Sequence, residues 1–253
     1  GDGGDELFAG YEPFRALRFA RLYRAIIPRA LHPAIIALAD RLPVSHRYLS
    51  FDFALKRFVR GVAQPPALWI PSWMSGMDQR DLRDCFGQNI DLEDVFSEAI
   101  EAWDAVASTD PVEKATGFFI RLYLQESVLA KVDRASMMNG LEVRAPFLDI
   151  DVVDFVRRVP ASLRLRGGTG KYLLKCAARG IVPDTIIDRP KKGFGVPVGA
   201  WFASGDLQVD TSAMPCPSLA ERLQREHRSG HKNHRLFLWN AWVYGEWMKN
   251  RPA

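Results

Sequence analysis

The chain opens on acidic residues and glycines whose types and spacing suit phosphate and metal chemistry. Three carboxylates and three glycines make up its first six residues, Gly1, Asp2, Gly3, Gly4, Asp5 and Glu6. Glycine has no side chain, so its backbone N–H groups can approach an anion closely. If a helix begins within this run, Asp2 and Asp5 lie one turn apart on one face. Ionised carboxylates at a phosphate-binding turn favour Mg²⁺ and nucleotide chemistry.

Composition bounds the class of protein that positions these residues. The chain has 253 residues, 47% hydrophobic and 25% charged, so it can bury a core as one large domain or two small ones. A net charge of +4 without an RNP, zinc-finger or basic-region pattern predicts no nucleic-acid partner. No apolar run reaches about 18 residues, so no membrane partner is predicted.

The cysteines and the absence of a visible signal peptide bear on the cellular compartment of the protein. The three cysteines, Cys85, Cys176 and Cys216, are far apart and odd in number. This pattern argues against a disulfide framework or a zinc site and fits a reducing cytoplasm. No signal peptide is visible, and the chain begins without an initiator Met, so we expect an upstream part.

Helical periodicity dominates the sequence. One apolar face of a helix is predicted between residues 14 and 30, formed by Phe19, Leu22, Tyr23, Ile26, Ile27 and Ala30. Arg18, Arg21 and Arg24 lie on the opposite side, where a solvated face is favoured over a phosphate patch. Residues 61–76, rich in Pro, Gly and Trp, are predicted to form a packed loop or a surface connection. Several C-terminal aromatic residues are predicted to anchor the core, namely Trp239, Trp242, Tyr244 and Trp247.

The longest predicted helix covers residues 112–139 and begins at the Asp110-Pro111 start signal. Its apolar stripe consists of Phe118, Leu122, Leu129 and Val132. Glu126 and Asp133 project close to that stripe, and a carboxylate that faces a core is unfavourable unless it is paired. Two interpretations stay open: an ion pair with a nearby arginine, or the wall of a binding site.

Five ordered segments resemble one family. The opening run resembles the second signature loop of the asparagine synthetase family, glutamine-dependent amidotransferases that activate a carboxylate with ATP. The further segments are KVDRASM at 131–137 leading into LEVRAPFLD at 141–149, KYLLK at 171–175, RPKKGFGVP at 189–197, and the C-terminal segment 226–239. The resemblance covers nearly the whole chain.

The resemblance implies a fold and a domain assignment. The family's synthetase domain belongs to the PP-loop class of adenine-nucleotide α-hydrolase-like folds. Residues 1–253 would be the mainly α, C-terminal portion of that α/β domain, truncated at its N-terminus. The family's Ser-Gly-Gly-x-Asp-Ser pyrophosphate loop and its N-terminal glutaminase domain do not occur in this sequence. None of the three cysteines therefore inherits the glutaminase nucleophile's role.

The activity implied by the resemblance is the ATP-dependent conversion of aspartate to asparagine. The aspartate carboxylate is adenylylated with release of pyrophosphate, and glutamine-derived ammonia then displaces AMP. ATP and Mg²⁺ are the implied cofactors, and aspartate or a related carboxylate is the implied substrate. For the full-length protein a homodimer is the assembly considered, and the isolated segment is expected to be inactive alone.

Residue roles follow from the matched positions. Asp5 resembles a Mg²⁺ ligand, with Gly1, Gly3 and Gly4 beside the phosphates. Asp2 is assigned a catalytic role, although asparagine-forming members usually have Glu there. Its shorter side chain moves the carboxylate by about one bond, which keeps another acceptor open.

The cations that resemble family site residues lie later in the chain. Lys171 is predicted to be catalytic and to contact phosphates, because a point charge on a flexible stem suits a pyrophosphate leaving group. Its alternative is a surface lysine at a helix start. Arg189, Lys191 and Lys192 belong to a basic loop that closes over phosphates or is simply a surface loop.

Four charged residues are assigned to the acceptor substrate, Glu126, Asp133, Glu142 and Arg144. Glu142 and Arg144 precede the break at Pro146 and Asp149 follows it, and these residues orient the acceptor or knit the turn.

Three histidines, His227, His231 and His234, have a spacing that mimics a zinc site. Gly230 interrupts any helix there, so we do not predict a metal.

Two rival functions remain open. One is a relative that amidates another carboxylate, for instance in the synthesis of a cell-envelope sugar or a secondary metabolite. The other is a non-catalytic fragment or scaffold.

Overall fold

The computed structural model describes residues 1–47, 50–189 and 195–251. The predicted loop residues Lys191 and Lys192 lie outside this part of the chain. The helices of its first half are α1 (Gly4–Leu7), α2 (Glu12–Ile26), α3 (His32–Asp40), α4 (Phe51–Val62), α5 (Trp69–Met74), α6 (Gln79–Phe86) and α7 (Leu92–Val95). Short 3₁₀ turns, Arg29–Leu31 and Pro66–Leu68, precede α3 and α5.

The second half is also mainly helical. Its helices are α8 (Ser97–Asp104), α9 (Pro111–Phe118), α10 (Ala130–Met137), α11 (Ile150–Arg157), α12 (Ala161–Arg164), α13 (Tyr172–Ala178), α14 (Asp184–Ile187), α15 (Val198–Ser204), α16 (Pro217–Arg228) and α17 (Arg235–Lys249). Between them lie a π-helical segment, Phe119–Leu129, and the 3₁₀ turns Pro146–Leu148 and Thr211–Ala213. In the described residues the sheet is one antiparallel hairpin, β1 (Leu165–Arg166) and β2 (Thr169–Gly170). The mainly α prediction is thereby confirmed.

The chain divides into two compact units. The first comprises Gly1–Ile26 and Ser97–Lys191, and the second comprises Ile27–Phe96 and Lys192–Ala253. Both units are assembled from segments distant in sequence, which the sequence did not indicate.

In the first unit, Leu7, Phe8 and Val156 are buried together. Phe147 and Leu148 pack against them. These residues come from α1, from the turn that follows it, from the turn after Pro146 and from α11. The core thereby joins two of the motif segments that the sequence singled out.

Helix α2 buries a different face from the one its apolar spacing suggested. Phe14 and Leu17 are fully buried, whereas Phe19 and Leu22 are 64% and 57% exposed. The helix also ends at Ile26, so the last predicted face positions lie beyond it. Apolar residues occur on both sides of this helix, and its tertiary contacts with α9 and β2 decide which side is buried.

The predicted long helix is continuous from α9 through the π-helical segment into α10. Asp110 caps it by accepting a hydrogen bond from the Val112 N–H at 2.8 Å, as the Asp-Pro signal predicted. The π segment bonds i to i+5 and therefore changes the angular step that a helical wheel assumes. Glu126 and Asp133 are exposed as a result and do not face the core.

In the second unit, α15, α16 and α17 surround a core that includes Phe202, Leu223 and Leu238. Residues 61–76 are not a loop, because most of them lie in the end of α4, a 3₁₀ turn and α5. Pro71 fits the first turn of α5, where backbone N–H groups have no helical partner.

Two corrections concern cysteines and C-terminal aromatic residues. Cys85 and Cys216 form a disulfide with a Cα–Cα distance of 5.2 Å, contrary to the expectation from an odd cysteine count. The sequence could not show that α6 and the start of α16 lie side by side. Of the four predicted anchors, Trp242 and Tyr244 pack against the core of the second unit, whereas Trp239 and Trp247 are 37% and 54% exposed.

Among the described residues, no single helix is long and apolar enough to cross a membrane. Two consecutive segments, Gly4–Ile26 and Arg29–Asp40, pass that test only when taken together, and only by length and composition.

Candidate active site

The opening run forms a tight turn that leads into a very short helix. Gly3 occupies the N-cap of α1 with φ 86°, a conformation that glycine adopts at little cost. Because α1 begins at Gly4, Asp2 precedes the helix and Asp5 lies in its first turn. The expectation that both carboxylates share one helical face is therefore wrong.

The glycines of the opening run have a packing role. A Cβ on Gly3 would overlap the Leu148 side chain, and one on Gly4 would lie 3.3 Å from the Phe147 ring. The ring of Phe147 also contacts Phe8 edge to face at 5.9 Å. These contacts hold the segment 141–149 against the opening run. Phosphate contacts by Gly1, Gly3 and Gly4 stay a prediction.

Asp5 and Lys171, two predicted site residues far apart in the sequence, form an ion pair. Lys171 Nζ lies 3.1 Å from Asp5 Oδ1, and the two side chains are 27% and 25% exposed. This degree of exposure leaves both charges within reach of a ligand while partly shielding them from solvent. Charges in such a setting interact more strongly than they do on an open surface.

The backbone around Lys171 is held in an uncommon conformation. Lys171 has φ 56°, and Ala9, which lies across the contact, has φ 53°. Both values are in the left-handed region. The Lys171 N–H donates to the Phe8 carbonyl at 2.7 Å. A Cβ on Gly170 would overlap the Ala9 carbonyl oxygen, so only glycine fits there. Left-handed geometry at a non-glycine residue is typical of positions that the surrounding structure fixes for function.

Gly10 permits the close approach of the ion pair. A Cβ at this position would overlap both Asp5 Oδ1 and Lys171 Cε. The Gly10 N–H also donates to the Asp5 carbonyl at 2.7 Å, which closes the turn after α1. In the sequence Gly10 is recognisable as part of the opening motif, but its close contacts with Asp5 and Lys171 are not.

Glu6 and Tyr11 form a buried pair that sequence reasoning missed. Tyr11 Oη donates to Glu6 Oε1 at 2.5 Å, and Glu6 is only 2% exposed. Burial and this hydrogen bond raise the pKa of Tyr11 well above its ordinary value. The tyrosine ring contacts Phe119 and Tyr123, so the pair ties the opening run to the π-helical segment. The five-residue spacing of Glu6 and Tyr11 is the sequence signal from which this hydrogen-bonded pair could have been predicted.

The other predicted site residues are exposed in this structure. Glu142 and Arg144 form an ion pair with each other and are exposed, so their orienting the acceptor or knitting the turn stays a prediction. Glu126, Asp133 and Arg189 are exposed. Their contacts with substrate or phosphate stay predictions, and Lys192 lies outside the described residues.

The residues present fit a hard cation held by a single carboxylate. Within residues 1–47, 50–189 and 195–251, no three His, Cys, Asp or Glu side chains form a metal-binding group. Mg²⁺ commonly takes one or two protein carboxylates and completes its coordination with waters and substrate phosphates. Asp5 is the partly exposed carboxylate of the opening run that lies beside Lys171, and it suits such a role.

The histidines of segment 226–239 serve the packing of the second unit. His227 is fully buried, and its Nε2 lies 2.8 Å from the Gly199 carbonyl. Its Nδ1 accepts from the His234 N–H at 3.0 Å, which fixes the neutral tautomer. Burial lowers the pKa of His227 to about 4. His234 Nε2 in turn lies 2.7 Å from Glu226 Oε2.

The chain is similar in sequence to known proteins over nearly its whole length. The asparagine synthase family model matches residues 1–248. A putative glutamine-hydrolyzing asparagine synthetase of Mycobacterium tuberculosis is 29% identical over 260 residues, 98% of this chain and 38% of that protein. Glutamine-hydrolyzing asparagine synthetase 1 of Bacillus subtilis is 31% identical over 220 residues, 80% of this chain and 31% of that protein.

More distant relatives carry another name. Amidase chyE of Penicillium rubens is 25% identical over 226 residues, 79% of this chain and 32% of that protein. No solved structure matches the chain. The chain spans about a third of the length of these curated relatives. Because the family model covers nearly all of it, the chain belongs to the asparagine synthase family.

Proposed function

We propose that the whole protein containing this chain amidates aspartate to asparagine, consuming ATP and glutamine-derived ammonia and releasing AMP and pyrophosphate. The observation that carries the proposal is the Asp5–Lys171 pair, which joins two motif segments in one partly exposed site. A scaffold has no need of a charged pair held by a left-handed lysine and two space-limited glycines. The cytoplasm stays the proposed compartment on family membership alone, because the Cys85–Cys216 disulfide removes the argument from unpaired cysteines.

The residues of this chain act on the two steps through charge. Lys171 stabilises the negative charge that develops on departing phosphate groups, and Asp5 orients Lys171 through their ion pair. Mg²⁺, when bound, would supply charge neutralisation of the phosphates, with Asp5 as its ligand. Asp2, which immediately precedes the turn at Gly3, is proposed to take part in proton transfer from the attacking nitrogen.

A pyrophosphate assay tests this function. The whole protein is supplied with ATP, aspartate and ammonia, and aspartate-dependent release of pyrophosphate is measured for the wild type, Lys171→Ala and Lys249→Ala. Lys171→Ala is expected to lose about 100-fold or more of the activity, as when a single charge-stabilising group is removed. Lys249 lies on the surface of α17 and pairs with Glu246, so its loss should change little. Equal rates in all three proteins would reject the proposal.

A second candidate is amidation of a different carboxylate. The amidase relatives and the aspartate at position 2, where asparagine-forming members usually have Glu, favour it. The same assay with a panel of carboxylates in place of aspartate distinguishes the two. Release of pyrophosphate with another carboxylate, but not with aspartate, would establish this second function.

A further inference from the structure

The second unit contains a cavity of about 420 Å³ that the proposed amidation does not use. This volume lies in the range of small-molecule binding pockets. Six of its lining side chains are cationic, namely Lys56, Arg57, Arg60, Arg80, Arg222 and Lys232. Four carry carboxylates, namely Asp40, Asp52, Asp78 and Asp81.

The carboxylates of the cavity are already engaged. Asp40 accepts two hydrogen bonds from Arg60, at 2.9 and 3.1 Å. Asp52 accepts from the Ser45 N–H at 3.2 Å. Asp40 is therefore matched by Arg60, and neither carboxylate forms an ion pair with Arg57 among the described residues.

The other pair of carboxylates caps a helix. Asp78 Oδ1 accepts from the Asp81 N–H at 2.9 Å, in the capping box of α6. Arg222 lies 3.6 Å from Asp81 and 3.3 Å from Glu226. Lys232 lies 3.8 Å from Glu226.

Arg57 is different from these paired cations. Within the described ranges it makes neither an ion pair nor a side-chain hydrogen bond, and its guanidinium lies over the Phe53 ring at 5.2 Å. The guanidinium of Arg235 lies over the same ring at 4.5 Å. Burial and the charge of Arg235 lower the pKa of Arg57 to about 10, so the side chain is still cationic at neutral pH. A partly buried cation without an anion is unfavourable.

A second unsatisfied group lies in the same wall. The Ser72 hydroxyl, on α5, is buried and has no hydrogen-bond partner among the residues that the structure describes. Ser72 lines the cavity together with Arg57. Two polar groups without a hydrogen-bond partner among the described residues therefore line one cavity, and both can bond to a polar ligand there.

We propose that this cavity binds a small anion with phosphate or carboxylate groups, held by Arg57. The planar guanidinium offers parallel N–H donors that match either group with two hydrogen bonds. The anion also relieves the repulsion between the Arg57 and Arg235 guanidinium groups.

Thermal unfolding of the purified protein tests the proposal. The wild type, Arg57→Gln and Arg41→Gln are compared in inorganic phosphate, in malonate and in sodium chloride at equal ionic strength. Arg41 lies at the exposed end of α3 and does not line the cavity, so its variant controls for lost charge. Phosphate or malonate is expected to raise the wild-type Tm by about 3 °C beyond sodium chloride at roughly ten times its Kd. Arg41→Gln should keep this gain, and Arg57→Gln should lose it.

The anion that gives the larger gain identifies the group that the cavity prefers. In sodium chloride, Arg57→Gln is expected to melt at or above the wild-type Tm, because it removes an unpaired cation. If that variant does not fold, Arg57→Lys replaces it, since it retains the charge but loses the planar fork and most of the gain. An equal anion-dependent gain in the wild type and the folded Arg57 variant would overturn the proposal. So would the absence of any gain beyond sodium chloride in the wild type.

Discussion

Asp5 and Lys171 in the first unit and His227 and His234 in the second all belong to motif segments of one family, but the structure uses the two pairs differently. Asp5 and Lys171 are about a quarter exposed and neutralise each other's charge. His227 is fully buried and neutral, and both of its ring nitrogens bond to backbone groups. A ligand can exchange with the first pair, whereas it would have to break the fold to reach His227.

The difference shows that a motif residue can be kept by packing as well as by chemistry. The lysine is held in a strained backbone conformation with space limited by Gly10 and Gly170. The histidine completes hydrogen bonds that join α16 to α15 and to the start of α17. Mutation should therefore affect activity in the first unit and stability in the second.

A large loss of activity is expected from Gly10→Ala. Its Cβ would overlap Asp5 Oδ1 and Lys171 Cε, so the ion pair must separate. A displacement of this kind can lower turnover by about 100-fold. The loss of turnover is measured as the rate of pyrophosphate release by the whole protein. Gly245→Ala is the matched control, because its Cβ would meet only Met214 Cε at 3.8 Å. It should leave the rate unchanged and stabilise α17 by about 0.5–1 kcal/mol.

Reduction of the disulfide should destabilise the second unit, to which both cysteines belong. Cys85 and Cys216 are 131 residues apart, and closing so long a loop predicts a loss of about 5 kcal/mol on reduction. Denaturant unfolding with and without a reducing agent gives the value. Cys176→Ser is the control, because Cys176 is a free, exposed cysteine and should not alter the difference.

Replacing His227 should reduce stability without removing chemistry. His227→Ala leaves the Gly199 carbonyl and the His234 N–H without their partner in a buried site. The expected loss is about 3 kcal/mol in the free energy of unfolding, measured with denaturant. Below the melting transition, kcat should stay within about twofold of the wild type. A selective loss of kcat in a folded variant would instead place His227 in the reaction.

The histidines also predict a pH dependence of stability. The pKa of His227 falls from 6.5 to about 4 on folding because of burial, so between these values the unfolded chain binds more protons. Stability is therefore complete above about pH 6.5 and falls as the pH approaches 4. The loss is roughly 2–3 kcal/mol. Burial lowers the pKa of His234 as well, which acts in the same direction. His227→Gln should flatten this dependence, and an unchanged slope would contradict the assignment.

Local signals in the sequence predicted much of the architecture. The Asp110-Pro111 start of the long helix forms as expected. The turn of glycines before Lys171 forms the β1–β2 hairpin, with positive φ at Gly167 and Gly168. These features depend on capping and backbone preference within a few residues, which a sequence displays directly.

Features that depend on tertiary contacts were not predictable. The buried face of α2, the exposure of Glu126 and the Cys85–Cys216 bridge all depend on which element lies alongside. The sequence named Asp5 and Lys171 through motif resemblance, but their contact is set by the turn at Gly10. Periodicity alone carries no information about such neighbours.

A double-mutant cycle on Asp5 and Lys171 tests the central claim that they act as one unit. Asp5→Asn, Lys171→Ala and the double variant are compared with the wild-type whole protein by kcat/KM for acceptor-dependent pyrophosphate release. We expect each single change to reduce the value by about 100-fold or more, and the double variant to be no worse than the poorer single one. Losses that multiply in the double variant would contradict the claim, because they would show that the two residues contribute independently.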